Sequence, residues 1–218
     1  MKLGRRSLLA AGAVVTALGA AALYLAKPLQ GPPRRQLTAA EKQACGLTVE
    51  AVEVPYFISG MVELKDGDLN FSKLAGVPIE ISGHVYDGFD AAKPLIGAAV
   101  EIWHADSDGN YHPNGNGPAS NYKPEEIALR GFVLTDAEGR FRFTTIYPGE
   151  YSGRTRHIHF KIRGPGTPEL TTQLIVPAKP GDTLTFDDDD IAEGLPNCQL
   201  LALDESSSPA KATFDFRL

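Results

Sequence analysis

The sequence predicts an all-β fold, a β-sandwich of antiparallel or mixed sheets joined by long functional loops. Two observations lead to this prediction. The chain has 22 glycines and 16 prolines among 218 residues, and both residue types favour turns over helix interiors. Short stretches rich in β-branched and aromatic residues recur between those turns, and few segments show a helical spacing of apolar side chains.

Five stretches have the composition of strands. Residues 78–87 are apolar and β-rich, and residues 98–106 alternate between apolar and polar side chains before the turn sequence DSDGN. Residues 132–146 are expected to form a hairpin, with two β-rich arms around DAEG. Residues 156–164 alternate again, and residues 170–177 complete the predicted strands.

A long loop separates the second and third of these stretches. Residues 107–130 are rich in Gly, Pro, Asn and Ser, with one helical turn expected at 124–129. Long loops in compact domains often carry functional residues. The acidic run FDDDD at 186–190 lacks the ligand spacing of a calcium loop, so we expect a solvated acidic turn there.

The N-terminal residues have the pattern of an export signal or a signal anchor. Lys2, Arg5 and Arg6 precede an uncharged run at residues 7–26. The paired arginines indicate the twin-arginine export route. The uncharged run is about long enough to span a bilayer, so an uncleaved membrane anchor is the alternative. The protein is therefore expected to be exported, either periplasmic or extracellular, or anchored to the membrane by this segment.

The chain divides into a leader at 1–26, a linker at 27–40 and one folded domain at 41–218. The net charge is -6 and no basic stripe is present, which argues against nucleic acid as a partner. The chain's two cysteines, Cys45 and Cys198, could form one disulfide in an oxidising compartment. Two buried free thiols are the alternative.

The stretch YSGRTRHIHF at 151–160 contains the most distinctive chemistry. Alternate residues of a strand share a face, so His157 and His159 would project together and could bind one metal ion. No C-x-x-C motif and no third histidine completes a zinc site, and no carboxylate lies at the spacing of a ferrous two-histidine site. Two histidines facing a polar pocket without metal are the alternative.

Two tyrosines are candidates for further ligands: Tyr151, which follows the turn PGE and is close to the histidines in sequence, and Tyr111, which follows the strand at 98–106. A phenol has an ordinary pKa of about 10, so only a strongly Lewis-acidic ion such as Fe(III) keeps it deprotonated at neutral pH. Two tyrosinates and two neutral histidines would leave such a site ready for another anion. For each tyrosine alone, a buried hydrogen-bonded aromatic is the usual alternative.

The motifs W-x7-Y, T-D-x2-G, P-G-x-Y, R-x2-H-x-H and T-Q-L occur in this order over roughly residues 45–180. In this combination they resemble the intradiol ring-cleavage dioxygenases, the catechol, protocatechuate and hydroxyquinol enzymes. The resemblance implies a non-haem Fe(III) cofactor with four protein ligands: Tyr111, Tyr151, His157 and His159. It places Tyr151 and His159 in axial positions and a hydroxide in the iron's remaining position.

The resemblance also implies a reaction. A catechol-type diol and O2 would be the substrates, and the ring would open between the two hydroxyl-bearing carbons to a muconate-type dicarboxylate. Tyr151 would act as a base toward the catechol, Arg154 would stabilise anionic intermediates, and Gln173 would line the pocket. Arg156, on the opposite side of the alternation from the histidines, is assigned a structural or surface role. An oligomer is compatible with the sequence.

Two features resemble the exported branch of that family. Only Ser152 and Gly153 separate Tyr151 from Arg154, and the opening CGLTVEAVEVPYF resembles that branch's N-terminal motif, in which Tyr56 is retained without an assigned role. The short spacer predicts an open pocket that admits bulkier catechols.

The main alternative is a non-catalytic, transthyretin-like sandwich that serves as a binding or structural module. The turn and core motifs of this sequence occur in both kinds of protein. Four residues favour the dioxygenase over the binding module: Tyr111, Arg154, His157 and His159. An iron-binding homologue without activity is a second alternative. The remaining histidines, His84, His104 and His112, are assigned to the surface or to a supporting shell.

Overall fold

The computed structural model describes residues 46–51, 56–88 and 93–218. The predicted leader at 1–26, the linker at 27–40 and Cys45 lie outside these residues. Cys198 takes part in a disulfide bond, which excludes the free-thiol alternative for this residue. Over the described ranges, no helix has the length and apolar character needed to cross a membrane.

The described part of the chain is built mainly of strands, so the predicted all-β fold is confirmed. The strands are β1 (Ile58–Ser59), β2 (Pro78–Tyr86), β3 (Ala99–Trp103), β4 (Gly117–Pro118), β5 (Arg130–Leu134), β6 (Arg140–Ile146), β7 (His157–Arg163), β8 (Leu170–Ile175), β9 (Ala210–Thr213) and β10 (Phe216–Arg217). One short α-helix, α1 (Asp190–Glu193), and four 3-10 helices (Ala119–Asn121, Pro124–Glu126, Phe186–Asp188 and Asn197–Gln199) complete the described elements.

Two four-stranded sheets form the sandwich. In the first sheet, β2 pairs antiparallel with β6 and parallel with both β9 and β10. The second sheet is antiparallel with the strand order β5-β3-β7-β8. β1 and β4 form a short parallel pair outside both sheets.

Apolar alternation packs the two sheets against each other. Ile79 and Ile81 of β2 belong to the same buried cluster as Ile158, Phe160 and Ile162 of β7. Because successive side chains of a strand point to opposite faces, this packing turns the other residues of β7 away from the shared core. The histidines therefore lie on the outer face of the second sheet.

The predicted hairpin at 132–146 is wrong, because its two arms belong to opposite sheets. β5 pairs with β3, and β6 pairs with β2. The connecting turn is closed by the Asp136 carboxylate, which accepts hydrogen bonds from the backbone N–H groups of Glu138 (3.0 Å) and Arg140 (2.8 Å). Such a turn can join paired strands or strands of two sheets, so its residues do not distinguish the two connections.

Candidate metal centre and active site

The two histidines of β7 lie side by side on the outer face of the second sheet. Their ring centroids are 4.8 Å apart with an interplanar angle of 86°. His157 is 3% exposed and His159 is fully buried. His159 stacks on Trp103, its register partner in β3, at 4.9 Å and 13°. This neighbour fixes the plane of the His159 ring.

Of the two predicted tyrosine ligands, Tyr111 contacts the histidine pair, and Tyr151 contacts Tyr111. The Tyr111 hydroxyl lies 3.4 Å from His157 Nε2. The Tyr111 ring centroid is 6.4 Å from that of His159 and 5.2 Å from that of Tyr151. The structure thus brings together four residues that are separated by up to 48 positions along the chain.

The loops that carry the two tyrosines are held together by backbone contacts. The Gly149 N–H donates to the Asp106 carbonyl at 2.7 Å, and the Asp106 carboxylate accepts from the Asn110 N–H at 2.9 Å. The approach is close enough that a Cβ on Gly149 would lie 2.5 Å from the Gly109 nitrogen. Asp106 therefore orders the residues preceding Tyr111 and ties them to those preceding Tyr151.

Burial keeps both imidazoles neutral. Loss of solvation and, to a smaller extent, the positive charge of Arg154 lower the pKa of His157 to about 4. Loss of solvation and the neighbouring His157 place the pKa of His159 well below its ordinary value. Neutral imidazole is the form that binds metal ions.

The donor atoms of the cluster fit a metal ion. His157 Nδ1 donates to the Thr155 carbonyl at 2.6 Å, which leaves Nε2 as a lone-pair donor facing Tyr111. Both ring nitrogens of His159 are buried with no hydrogen-bond partner among the described residues. Buried polar atoms are rarely left unpaired, so these nitrogens indicate a missing ligand.

The tyrosines define what kind of ion the cluster fits. Burial raises the pKa of Tyr111, and burial together with the Tyr56 hydroxyl raises that of Tyr151. Without a cation both phenols stay protonated, so their use as anionic ligands needs a hard, strongly Lewis-acidic ion. Over the described residues, no group of three or more His, Cys, Asp or Glu side chains could hold a metal ion.

Arg154 and Gln173 lie beside the histidines. Gln173 of β8 is the register partner of His159, so both side chains are on the outer face. The Arg154 Nη2 group donates to Gln173 Oε1 at 3.0 Å, and its Nε donates to both carboxylate oxygens of Asp189, at 2.8 and 2.7 Å. A positive charge and an amide are therefore held next to the imidazole pair.

The acidic run at 186–190 is more than a solvated turn, because Asp189 is only 2% exposed and pairs with Arg154. Asp187 and Asp188 are exposed as expected.

Arg156 has the structural role predicted for it. It forms a two-point ion pair with Asp182, at 2.6 and 2.5 Å.

Tyr56 is a member of the cluster that sequence reasoning left without a role. Its ring stacks on Tyr111 at 4.5 Å and 9°, and its hydroxyl lies 2.5 Å from that of Tyr151. Its φ of 82° is unusual for a residue other than glycine, and Arg130 Nη1 donates to its carbonyl at 2.6 Å. The retained tyrosine of the N-terminal motif was the available signal.

The hydrogen-bond partners of the other three histidines are residues other than the four predicted ligands. His84 contacts Asp215 at 3.2 Å, and His112 contacts Asp106 at 2.7 Å. His104 is fully buried rather than at the surface.

Known proteins resemble this chain over most of the described domain. A family model described as Dioxygenase matches residues 52–218. Catechol 1,2-dioxygenase 1 of Acinetobacter lwoffii is 34% identical over 166 residues, which are 66% of this chain and 50% of that protein. The protocatechuate 3,4-dioxygenase beta chain of Burkholderia cepacia is 35% identical over 114 residues, 48% of this chain and 47% of that protein. The chain spans about half the length of the curated relatives it matches.

A solved structure shows the same fold. It is the dioxygenase domain of a dioxygenase and carbohydrate-binding protein fusion from Streptomyces sp. SirexAA-E. The TM-score is 0.63 at 35% identity, and the match covers 79% of this chain and 97% of that one.

Proposed function

Because the chain belongs to the dioxygenase family of that model, the intradiol ring-cleavage dioxygenases, we propose that it uses non-haem Fe(III) and O2 to open a catechol-type ring. Cleavage between the two hydroxyl-bearing carbons would give a muconate-type dicarboxylate. The single observation that supports this most strongly is the buried, unpartnered His159 beside His157, Tyr111 and Tyr151. A sandwich that served only as a binding or structural module would gain nothing from leaving those nitrogens unpaired.

The proposed ligands are Tyr111, Tyr151, His157 and His159. The ferric ion, when bound, supplies the Lewis acidity that lowers the pKa of both phenols and of a chelated catechol. The fixed Nδ1–H bond of His157 and the Trp103 stack on His159 hold the imidazoles in place before the ion arrives. The protein thus supplies a preorganised set of donors.

Tyr151 is the proposed base toward the substrate. It is less buried than Tyr111, so its hydroxyl has room to move when a catechol binds. Its phenolate oxygen would take a catechol proton, and the Tyr56 hydroxyl at 2.5 Å would remain within hydrogen-bonding distance of the protonated group.

Arg154 is the proposed electrostatic element. Its guanidinium group is held 3.0 Å from the Gln173 amide, which is adjacent to His159 in register. A fixed positive charge in a buried site stabilises negative charge that develops on the substrate more strongly than it would in water.

The short Ser152–Gly153 spacer supports a catechol pocket that admits ring substituents. Ser152 and Gly153 are both exposed, and a Cβ added to Gly153 would meet nothing within 4 Å. We propose that substituted catechols turn over as well as catechol itself. A substrate panel in which only unsubstituted catechol reacts would contradict this.

An anaerobic titration tests the proposed function. The ferric protein is titrated with several catechols while its visible spectrum is recorded, and oxygen is then admitted. The proposal predicts a tyrosinate-to-iron absorption band that shifts on catechol binding, followed by oxygen uptake and a ring-opened product. Tyr111→Phe should weaken the band, whereas Tyr86→Phe, on the first sheet, should leave it unchanged. Iron binding without a visible band, or without oxygen uptake, would overturn the proposal.

We also propose that the protein is exported, to the periplasm or the cell exterior or on a membrane anchor. The leader pattern at 1–26 and the disulfide-bonded Cys198 support this, because disulfides persist in oxidising compartments. Cell fractionation with a variant in which Arg5 and Arg6 are both lysine tests the route. We expect the parent protein outside the cytoplasm and the variant retained inside it. A parent protein found in the cytoplasm together with the variant would contradict export.

A further inference from the structure

We propose that Asp189 is a positioning residue that fixes Arg154 and, through it, Gln173, so that two N–H donors face the substrate. This inference rests on the proposed ring-cleavage function, since the donors act on the substrate of that reaction. Asp189 belongs to an acidic run that the sequence alone suggests is solvated.

The carboxylate of Asp189 is fully engaged. Both of its oxygens accept from Arg154 Nε, at 2.8 and 2.7 Å. One oxygen also accepts from the Thr155 N–H at 3.0 Å, and the other caps α1 through the N–H groups of Ile191 (3.0 Å) and Ala192 (3.1 Å). Asp189 thereby joins the segment that leads into β7 to the start of α1.

This arrangement assigns a direction to each nitrogen of the guanidinium group. Nε faces Asp189, and Nη2 faces Gln173 Oε1. Within the described residues, Nη1 has no hydrogen-bond acceptor. Because a guanidinium group is planar and rigid, fixing Nε and Nη2 also fixes where Nη1 points. Nη1 and the second N–H of Nη2 are therefore the donors available to a bound ligand.

The orientation of Gln173 follows from the same contact. A guanidinium group only donates hydrogen bonds, so the amide oxygen of Gln173 has to face Arg154. Its Nε2 group then turns away, and this nitrogen is buried without a partner among the described residues. A buried, unpaired amide N–H next to His159 is the second donor that a substrate oxygen could use.

Charge and burial indicate that Asp189 and Arg154 hold each other in position. The Asp189 side chain is 0% exposed and that of Arg154 is 12% exposed. Removing one partner of such a pair leaves a poorly solvated charge, so the remaining group moves to find other partners. We expect Arg154 to leave its position when Asp189 loses its charge.

The protein contains a matched control for a purely structural role. Arg156 and Asp182 form a second two-point pair two residues along, with side chains 15% and 7% exposed. Arg156 packs over the Tyr147 ring and donates to the Pro148 carbonyl, and neither of these groups is a proposed ligand or substrate donor. We expect the loss of this pair to lower stability and to leave the proposed substrate donors, Arg154 and Gln173, in place.

The first test compares Asp189→Asn with Asp182→Asn. Asparagine at position 189 keeps one oxygen for the α1 cap, but its NH2 group then faces the Arg154 Nε–H and the Thr155 N–H. We expect Asp189→Asn to lower kcat by roughly 10²-fold, with a smaller change in anaerobic catechol affinity, because such misplacement costs about this much. Asp182→Asn should lower Tm comparably and leave kcat unchanged. Equal kcat losses in both variants would overturn the proposal.

The second test asks whether Asp189 acts through Arg154. If it does, the double variant Asp189→Asn/Arg154→Gln should have the same kcat as Arg154→Gln alone, because one substitution has already removed the shared effect. A further 10²-fold loss in the double variant would contradict the proposal.

A third measurement separates this inference from the proposed function. In the iron-free protein, the Arg154 Nε–H should be protected from solvent exchange in NMR spectra of the parent protein and lose that protection in Asp189→Asn. Protection retained in Asp189→Asn would overturn the inference whether or not the enzyme is active. If the parent protein consumes no oxygen, yet protection is present in the parent and lost in Asp189→Asn, the proposed function alone is overturned.

Discussion

Two buried imidazoles, the buried phenol of Tyr111 and the half-buried phenol of Tyr151 carry the proposed chemistry, and each depends on its immediate neighbours. His157 has one nitrogen fixed by the Thr155 carbonyl, and His159 is held by the stack on Trp103. Neither imidazole would carry a second proton and a positive charge at neutral pH, because burial lowers the pKa of both. Local contacts thus set both the geometry and the protonation of the proposed ligands.

Replacing His159 by glutamine is expected to abolish stoichiometric iron binding, because an amide is a poor substitute for a neutral imidazole. Metal analysis of protein refilled with Fe(III) measures the effect. His84→Gln serves as the control, since His84 is half-exposed on the first sheet and contacts Asp215. Full iron occupancy in His159→Gln would remove this residue from the ligand set.

Replacing Arg154 by alanine is expected to lower kcat/KM by about 10²- to 10³-fold with iron content unchanged, the range typical for loss of one preorganised donor. Steady-state oxygen uptake measures the loss. Arg142→Ala is the control, because that exposed arginine pairs with Glu80 at 3.0 Å on the first sheet. Unchanged turnover in Arg154→Ala would exclude the electrostatic role.

Two connections between strands bring the tyrosines to the outer face of the second sheet, where His157 and His159 lie. The loop after β3 carries Tyr111, and the segment between β6 and β7 carries Tyr151. They meet backbone to backbone at Gly109 and Gly149, where a side chain on either glycine would collide with the facing loop. The ligand set therefore depends on contacts between elements as well as on the strand itself.

Gly149→Ala tests this loop contact. Its Cβ would lie 2.6 Å from the Ser107 carbonyl oxygen, so the two loops have to separate. We expect weaker iron binding and a Tm several degrees lower, as for other substitutions that displace packed backbone. At Gly194 the nearest atom would lie at 3.5 Å, so Gly194→Ala should change neither property. Normal iron affinity in Gly149→Ala would show that the loops adjust without moving the tyrosines.

Much of this arrangement could be predicted from the sequence, because strand alternation and turn residues are local signals. The common face of His157 and His159 followed from the period of two along β7. The hairpin prediction failed because the turn at Asp136 does not specify which sheet each arm joins. The burial of Asp189 was also missed, since its partner Arg154 lies 35 positions away and nothing in the run FDDDD marks one aspartate. Tyr56 entered the cluster through packing of the N-terminal segment, which no periodicity describes.

The sandwich as a whole buries polar side chains that have to stay uncharged. His104 is fully buried, with Nδ1 2.7 Å from the Ala105 carbonyl oxygen and Nε2 2.7 Å from the Thr145 hydroxyl. Loss of solvation lowers its pKa from the ordinary 6.5 to about 4. Between these two pH values the unfolded chain binds a proton that the folded chain does not.

The stability of the iron-free protein should therefore depend on pH. The pKa of His104 is lower in the folded state than in the unfolded state. The stability that the buried, neutral His104 contributes is therefore fully present above pH 6.5 and is lost as the pH falls toward 4. One such histidine contributes about 3 kcal/mol over this range. Urea unfolding at several pH values measures it, and His104→Gln should show a smaller dependence. The same dependence in both proteins would contradict this assignment.

The most direct test of the central claim is mass spectrometry of the product formed from a catechol under ¹⁸O2. Ring opening between the two hydroxyl-bearing carbons with insertion of both oxygen atoms predicts a muconate-type dicarboxylate that carries one ¹⁸O in each carboxyl group. A product with one labelled oxygen or none, or a semialdehyde from cleavage outside the diol, would contradict the proposed intradiol reaction.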